Sequence, residues 1–155
     1  MATLNHIVFY DGDCGLCSST VRWLIRLDKK RVLVYSPISS ELCRDIVKNP
    51  AIDSIVYAQI ESRFAFRAWY YSDATIQIGF TLGGIYKMGG MLLRLIPRPI
   101  RDRGYQFVAR HRKQIFASEC LVPTVATRTL FLYTWSDIDA AEEIKSSLAL
   151  TPAKI

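Results

Sequence analysis

The sequence predicts an α/β fold, and three stretches carry that prediction. Ile7-Val8-Phe9-Tyr10 is a short, wholly apolar run, followed by a helical pattern and then by the β-branched run Arg31-Val32-Leu33-Val34-Tyr35. That succession reads as strand, helix, strand, a right-handed parallel unit. Ser54–Ile60 and Arg63–Trp69 are extended runs joined at Glu61-Ser62, the pattern of a hairpin. From Ser72 onward the apolar spacing becomes helical.

In chain order, Gly12 permits a tight turn after the first strand. Indexing residues 14–30 at about 100° each puts Ser18, Ser19, Arg22, Arg26, Lys29 and Lys30 in one arc. Cys17, Val21, Leu24 and Ile25, flanked by Leu16, Trp23 and Leu27, fill the rest, so this helix is expected to be mostly buried. Ser36-Pro37 ends the second strand, and Ser39 or Ser40 caps a short helix through Leu42, Cys43, Ile46 and Val47 that Asn49-Pro50 terminates. Ser72-Asp73 is expected to cap a helix starting near Ala74. Gly79, Gly83, Gly84, Gly89 and Gly90 then break an apolar region into short, close-packed helices. Lys87 and Arg94 interrupt that region, which leaves it short of the roughly 20 apolar residues of a membrane span. Pro99–Ile115 is a further helix, and Thr134–Asp137 caps a last amphipathic one, Ile138–Leu150.

The chemistry concentrates at Asp11-Gly12-Asp13-Cys14-Gly15-Leu16-Cys17. Cysteines two residues apart at a helix start can close a small disulfide ring, and the field of the helix N-terminus lowers the first thiol's pKa. Cys14 is the candidate nucleophile and Cys17, well inside the apolar arc, the resolving thiol. Asp13 suits an N-cap, although a carboxylate so near Cys14 opposes thiolate formation. Asp11 suits either a proton shuttle for Cys17 or a turn-forming aspartate. The same pair is open to a metal half-site or a non-catalytic reading. Zinc needs four ligands, and with Cys43 and Cys120 isolated and neither His6 nor His111 paired, no metal site is expected. Cys43 sits on an apolar helix face as a core residue.

The chain has 155 residues, 50% of them hydrophobic, which is enough for one ordinary core. No basic, then apolar leader opens it, so a cytosolic, reducing setting is expected. The net charge of +6 resides in one stretch, Arg94–Lys113, which holds seven basic residues and a single acid, Asp102. That stretch suits a solvated helix, a surface for an acidic partner or a membrane-surface contact. No aromatic-interleaved motif accompanies it, so nucleic acid is not expected.

Three motifs resemble the DCC family of thiol-disulfide oxidoreductases. The first is Asp11-x-x-Cys14-x-x-Cys17. The second is Leu95-Ile96-Pro97-Arg98-Pro99-Ile100-Arg101-Asp102, followed by Tyr105 and Val108–Arg112. The third is Glu119-Cys120-Leu121-Val122-Pro123, similar to the family's late Cys-x-x-Pro. The resemblance spans roughly residues 6–130 and implies a thioredoxin-like mixed sheet flanked by helices, with the cysteine pair at a strand's carboxyl end. On this reading residues 1–132 form the domain and 133–155 a C-terminal helical tail, giving a thioredoxin-like α/β fold with additional C-terminal helices. The resemblance implies a redox role, and the expected activity is that of a monomeric thiol-disulfide oxidoreductase that needs no bound cofactor and takes a protein or small-molecule thiol or disulfide as partner. It also brings in Cys120 as an accessory third thiol, against the plain reading of a small buried residue. The chain departs from ordinary thioredoxins in two places: Pro50 stands several residues before Ser54-Ile55-Val56, and Asp13 occupies the position before the first cysteine where a Trp is common.

Two readings from other classes remain. An apolar strand ending in Asp11-Gly12-Asp13 also fits the opening of a Mg²⁺-dependent phosphotransferase of the haloacid-dehalogenase type. Such an enzyme needs a later acidic pair on adjacent strand ends, which the sequence lacks. A non-enzymatic binding module using the basic face is the other alternative.

Overall fold

The computed structural model describes residues 5–12, 15–47, 54–62, 65–115 and 127–140. The elements are β1 (His6–Tyr10), α1 (Gly15–Leu27), β2 (Leu33–Pro37), α2 (Glu41–Ile46), β3 (Val56–Ser62), β4 (Ala65–Tyr70), α3 (Tyr71–Leu82), α4 (Gly84–Leu95) and α5 (Arg98–Ile115). The strands form one sheet in the order β2-β1-β3-β4. β1 and β2 are parallel, β3 runs antiparallel to β1, and β4 antiparallel to β3. This is a thioredoxin-like mixed sheet with flanking helices, as the sequence predicted.

Alternation along β1 builds two cores. Val8 and Tyr10 face α1 and α3, sharing a cluster with Cys17, Val21, Leu24, Ala74 and Ile78. Ile7 and Phe9 face α2, together with Leu42, Cys43 and Ile46. A central strand covered on both sides can be apolar throughout, which is why β1 shows no polar alternation. After residue 127 the chain returns to the outer edge of β2, where Phe131 bridges Tyr35 in parallel and the Leu132 N–H donates to the Tyr35 carbonyl at 2.9 Å. Helical residues 135–140 then set Ile138 into the core beside α2.

Several boundaries differ from the sequence reading. β2 starts at Leu33 rather than Arg31, because Arg31 lies in a turn at φ +51° and the Asp28 carboxylate accepts the Leu33 N–H at 2.7 Å. Glu61 and Ser62 continue β3 through a bulge after Ile60, so the hairpin reverses beyond them. The helix expected near Ala74 begins at Tyr71, and neither Ser72 nor Asp73 serves as its cap. The predicted cap Ser40 does hold α2, its hydroxyl accepting the Cys43 N–H at 3.1 Å. α1 is less buried than its apolar arc suggested: Trp23 is 55% exposed whereas Ser18 is fully buried, because the sheet covers one side only. Gly83 and Gly84, at φ +72° and +55°, separate α3 from α4 as expected of glycines. Asn49-Pro50, the Glu119–Pro123 motif and the remainder of the predicted last helix lie outside the described residues.

Candidate active site

The strand register gathers several chain segments at one edge of the sheet. Phe9 pairs with Val56 and Val56 with Tyr70, so the carboxyl end of β1, the start of β3 and the end of β4 coincide. α1 starts at this edge with Gly15. Cys17, on its first turn, is 2% exposed and belongs to the cluster of Val8, Tyr10 and Val21. Asp11, one residue past β1, is half-buried. Cys14, Asp13 and Cys120 lie outside the described residues. Cys43 is on the opposite face, 3% exposed, and burial pushes its thiol up to about 11.

α5 is tied across the same edge. The Ile55 N–H, just before β3, donates to the Tyr105 hydroxyl at 3.2 Å. Tyr71, at φ +53°, packs edge-on against the Tyr105 ring. Arg101 donates to Asp73 at 2.6 Å with its side chain only 10% exposed, Arg98 reaches the same carboxylate at 2.9 Å, and Ser72 donates to Asp102. Arg101 Nε and Nη1 are buried with no hydrogen-bond partner. Part of the supposed basic face is therefore an internal ion-pair cluster. The sequence reading had given Ser72 and Asp73 to a helix cap. The spacing of Arg98, Arg101, Asp102 and Tyr105, three to four residues apart on one helix face, was the signal available for this cluster.

A cavity of about 570 Å³ opens beside the strand end, lined by Arg128, Phe131, Tyr133 and Asp137. Phe131 stands edge-on to Tyr10, with ring centroids 6.2 Å apart. Burial pushes the Asp137 carboxyl up, but the N–H groups of Tyr133 and Thr134, donating at 2.8 Å each, outweigh it and hold the group below its usual range. At the far end of β1, His6, Tyr57 and Thr81 form a hydrogen-bonded chain away from the cysteine turn. Among the described residues, no three His, Cys, Asp or Glu side chains gather to hold a metal ion.

Residues 8–118 match the model of the DCC1-like thiol-disulfide oxidoreductase family. The chain is also 27% identical, over 135 residues, to the "Uncharacterized protein YuxK" of Bacillus subtilis (strain 168), covering 83% of this chain and 94% of that protein. No solved structure matches. The family model takes in the strand end, the helix carrying Cys17 and the α5 cluster together, and the chain belongs to the DCC1-like thiol-disulfide oxidoreductase family.

Proposed function

We propose that the chain exchanges a Cys14–Cys17 dithiol with thiol or disulfide substrates. The observation that carries this reading is Cys17 buried on the first turn of α1, at the carboxyl end of the central strand, with Asp11 half-buried at the strand's exit. A resolving thiol must be shielded from outside reagents, as Cys17 is, and stand close to its partner in the chain, as the Cys14-x-x-Cys17 spacing provides.

In the reducing direction, the Cys14 thiolate attacks one sulfur of a substrate disulfide. A mixed disulfide forms and the first substrate thiolate leaves. Cys17 gives its proton to Asp11 and attacks Cys14 Sγ, closing the protein disulfide and releasing the second thiolate, so two electrons pass from the dithiol to the substrate. The reverse sequence oxidises a substrate dithiol. Asp13, beside Cys14 in the chain, is an accessory residue, and Cys120 is an accessory thiol whose thiolate can attack one sulfur of the Cys14–Cys17 disulfide, bonding to it and releasing the other cysteine as a thiolate. The cavity bounded by Arg128 and Phe131 receives the substrate beside Tyr10.

The test is a redox titration in thiol/disulfide buffers, with mass spectrometry to identify the paired cysteines. A reversible two-electron transition that pairs Cys14 with Cys17, and disappears in both Cys14→Ser and Cys17→Ser, supports the proposal. A transition unaffected by Cys17→Ser would overturn it.

A further inference from the structure

α4 has the inverse of an ordinary surface helix. Its inner side is glycine: Gly90 is buried where an added Cβ would stand 3.2 Å from the Ile76 carbonyl oxygen, and Gly79 of α3 meets the Tyr86 carbonyl in the same way at 2.8 Å. The two helices approach through small residues, so the large side chains of α4 point outward. Ile85 is 74% exposed, Met88 63%, Leu92 65% and Leu95 80%. At about 100° per residue these four fall within an arc of about 80°, the sector that a solvated helix fills with polar groups. α4 contains no acid, and its charged residues are the exposed Lys87 and Arg94. Exposed Arg98, Arg103 and Arg110 follow in α5, within the stretch that holds the protein's net charge of +6.

We propose that α4 seats this protein on an anionic lipid bilayer, lying in the plane of the interface. Ile85, Met88, Leu92 and Leu95 enter the headgroup–acyl boundary, while Lys87 and Arg94 bind acidic headgroups. The charge selects this occupant. α4 carries two cations and no acid, in a chain of net charge +6, so anionic headgroups attract it where a like-charged second copy does not. A protein partner needs directional hydrogen bonds, about one per 100–200 Å² of interface. The outer face of α4 presents aliphatic side chains, and Lys87 and Arg94 lie about 120–140° round the helix on its polar side, the division that a helix lying in the lipid interface uses. The helix has 12 residues, and no described helix is long and apolar enough to cross a membrane, so the contact is with the surface. The inference stands apart from the cysteine chemistry.

The full chain is incubated with phosphatidylcholine vesicles, with and without phosphatidylglycerol, and sedimented at rising salt. Binding is expected on the anionic vesicles alone and should weaken as salt screens the cations. Leu92→Glu should lose about tenfold or more, and Lys87→Gln and Arg94→Gln about fivefold each. These side chains point away from the core, and far-UV circular dichroism confirms that each variant is folded. Ile85→Ser serves as a second probe should Leu92→Glu fail to fold. Equal binding to both vesicle types, binding unchanged by the variants, or a dimer in light scattering that Leu92→Glu dissociates would each overturn the proposal.

Discussion

Alkylation of the fully reduced protein with iodoacetamide, followed peptide by peptide in mass spectrometry from about pH 5 to 9, tests the proposed division of labour among the thiols. Cys43 supplies the reference, because it is 3% exposed and burial pushes its thiol up to about 11. Near pH 7 a group titrating at about 11 is thiolate in about one molecule in ten thousand, whereas an ordinary thiol at about 8.5 is already ionised in about one in thirty. Ionisation therefore favours a thiol at or below the ordinary value by about 300-fold or more, and the greater intrinsic nucleophilicity of the more basic thiolate, with a Brønsted slope near 0.45, returns about 13-fold at the ordinary value. The balance is about 20-fold or more against Cys43, before its burial between α2 and the sheet widens it. The midpoint of the Cys14 profile decides the matter: a value below that of an ordinary thiol, about 8.5, is expected. A midpoint at or above that value, or equal slow labelling of all four cysteines, would refute the assignment of Cys14 as nucleophile.

Further outcomes follow from the ion-pair cluster, the packing and the cavity. Asp73→Ala strips the carboxylate from a guanidinium whose Nε and Nη1 are already unpartnered, and should cost about 3 kcal/mol in chemical denaturation, with Arg101→Met restoring part of the loss in the Asp73→Ala background. Gly79→Ala should destabilise by about 1–3 kcal/mol despite alanine's better helix propensity, since its Cβ would stand 2.8 Å from the Tyr86 carbonyl oxygen. On the basic side, the folded state holds the Cys43 proton more tightly than the unfolded one. Stability is therefore complete below the unfolded value of 9.0 and declines by about 2–3 kcal/mol as pH rises toward about 11, and Cys43→Ala flattens that slope in pH-dependent denaturation. Arg128→Ala should raise KM for carboxylate-bearing disulfides by about tenfold with little change in kcat, since the loss is of a charge-assisted contact to a group that does not react.

Local patterning made much of this legible. The apolar run of β1 announces a strand covered on both faces, Ser40 announces α2, and the Gly83-Gly84 pair announces the break between α3 and α4. Cys17 could be placed in the core from helical indexing alone, because the periodicity of about 3.6 residues per turn is a property of the local backbone. Boundaries that depend on partners were displaced. β2 begins where Asp28 caps Leu33, and β3 extends past Glu61 because β4 pairs with it.

By itself, the sequence determined the α/β class, the family and the burial of Cys17 on the first turn of α1, since each is written in contiguous residues. Tertiary structure alone decided that Asp73 meets Arg101, that Tyr105 holds Ile55, and that Phe131 returns to pack on Tyr10. These contacts join residues 28, 50 and 121 positions apart. No periodicity links such distant side chains; their proximity arises from sheet register and helix docking, which the whole core settles at once.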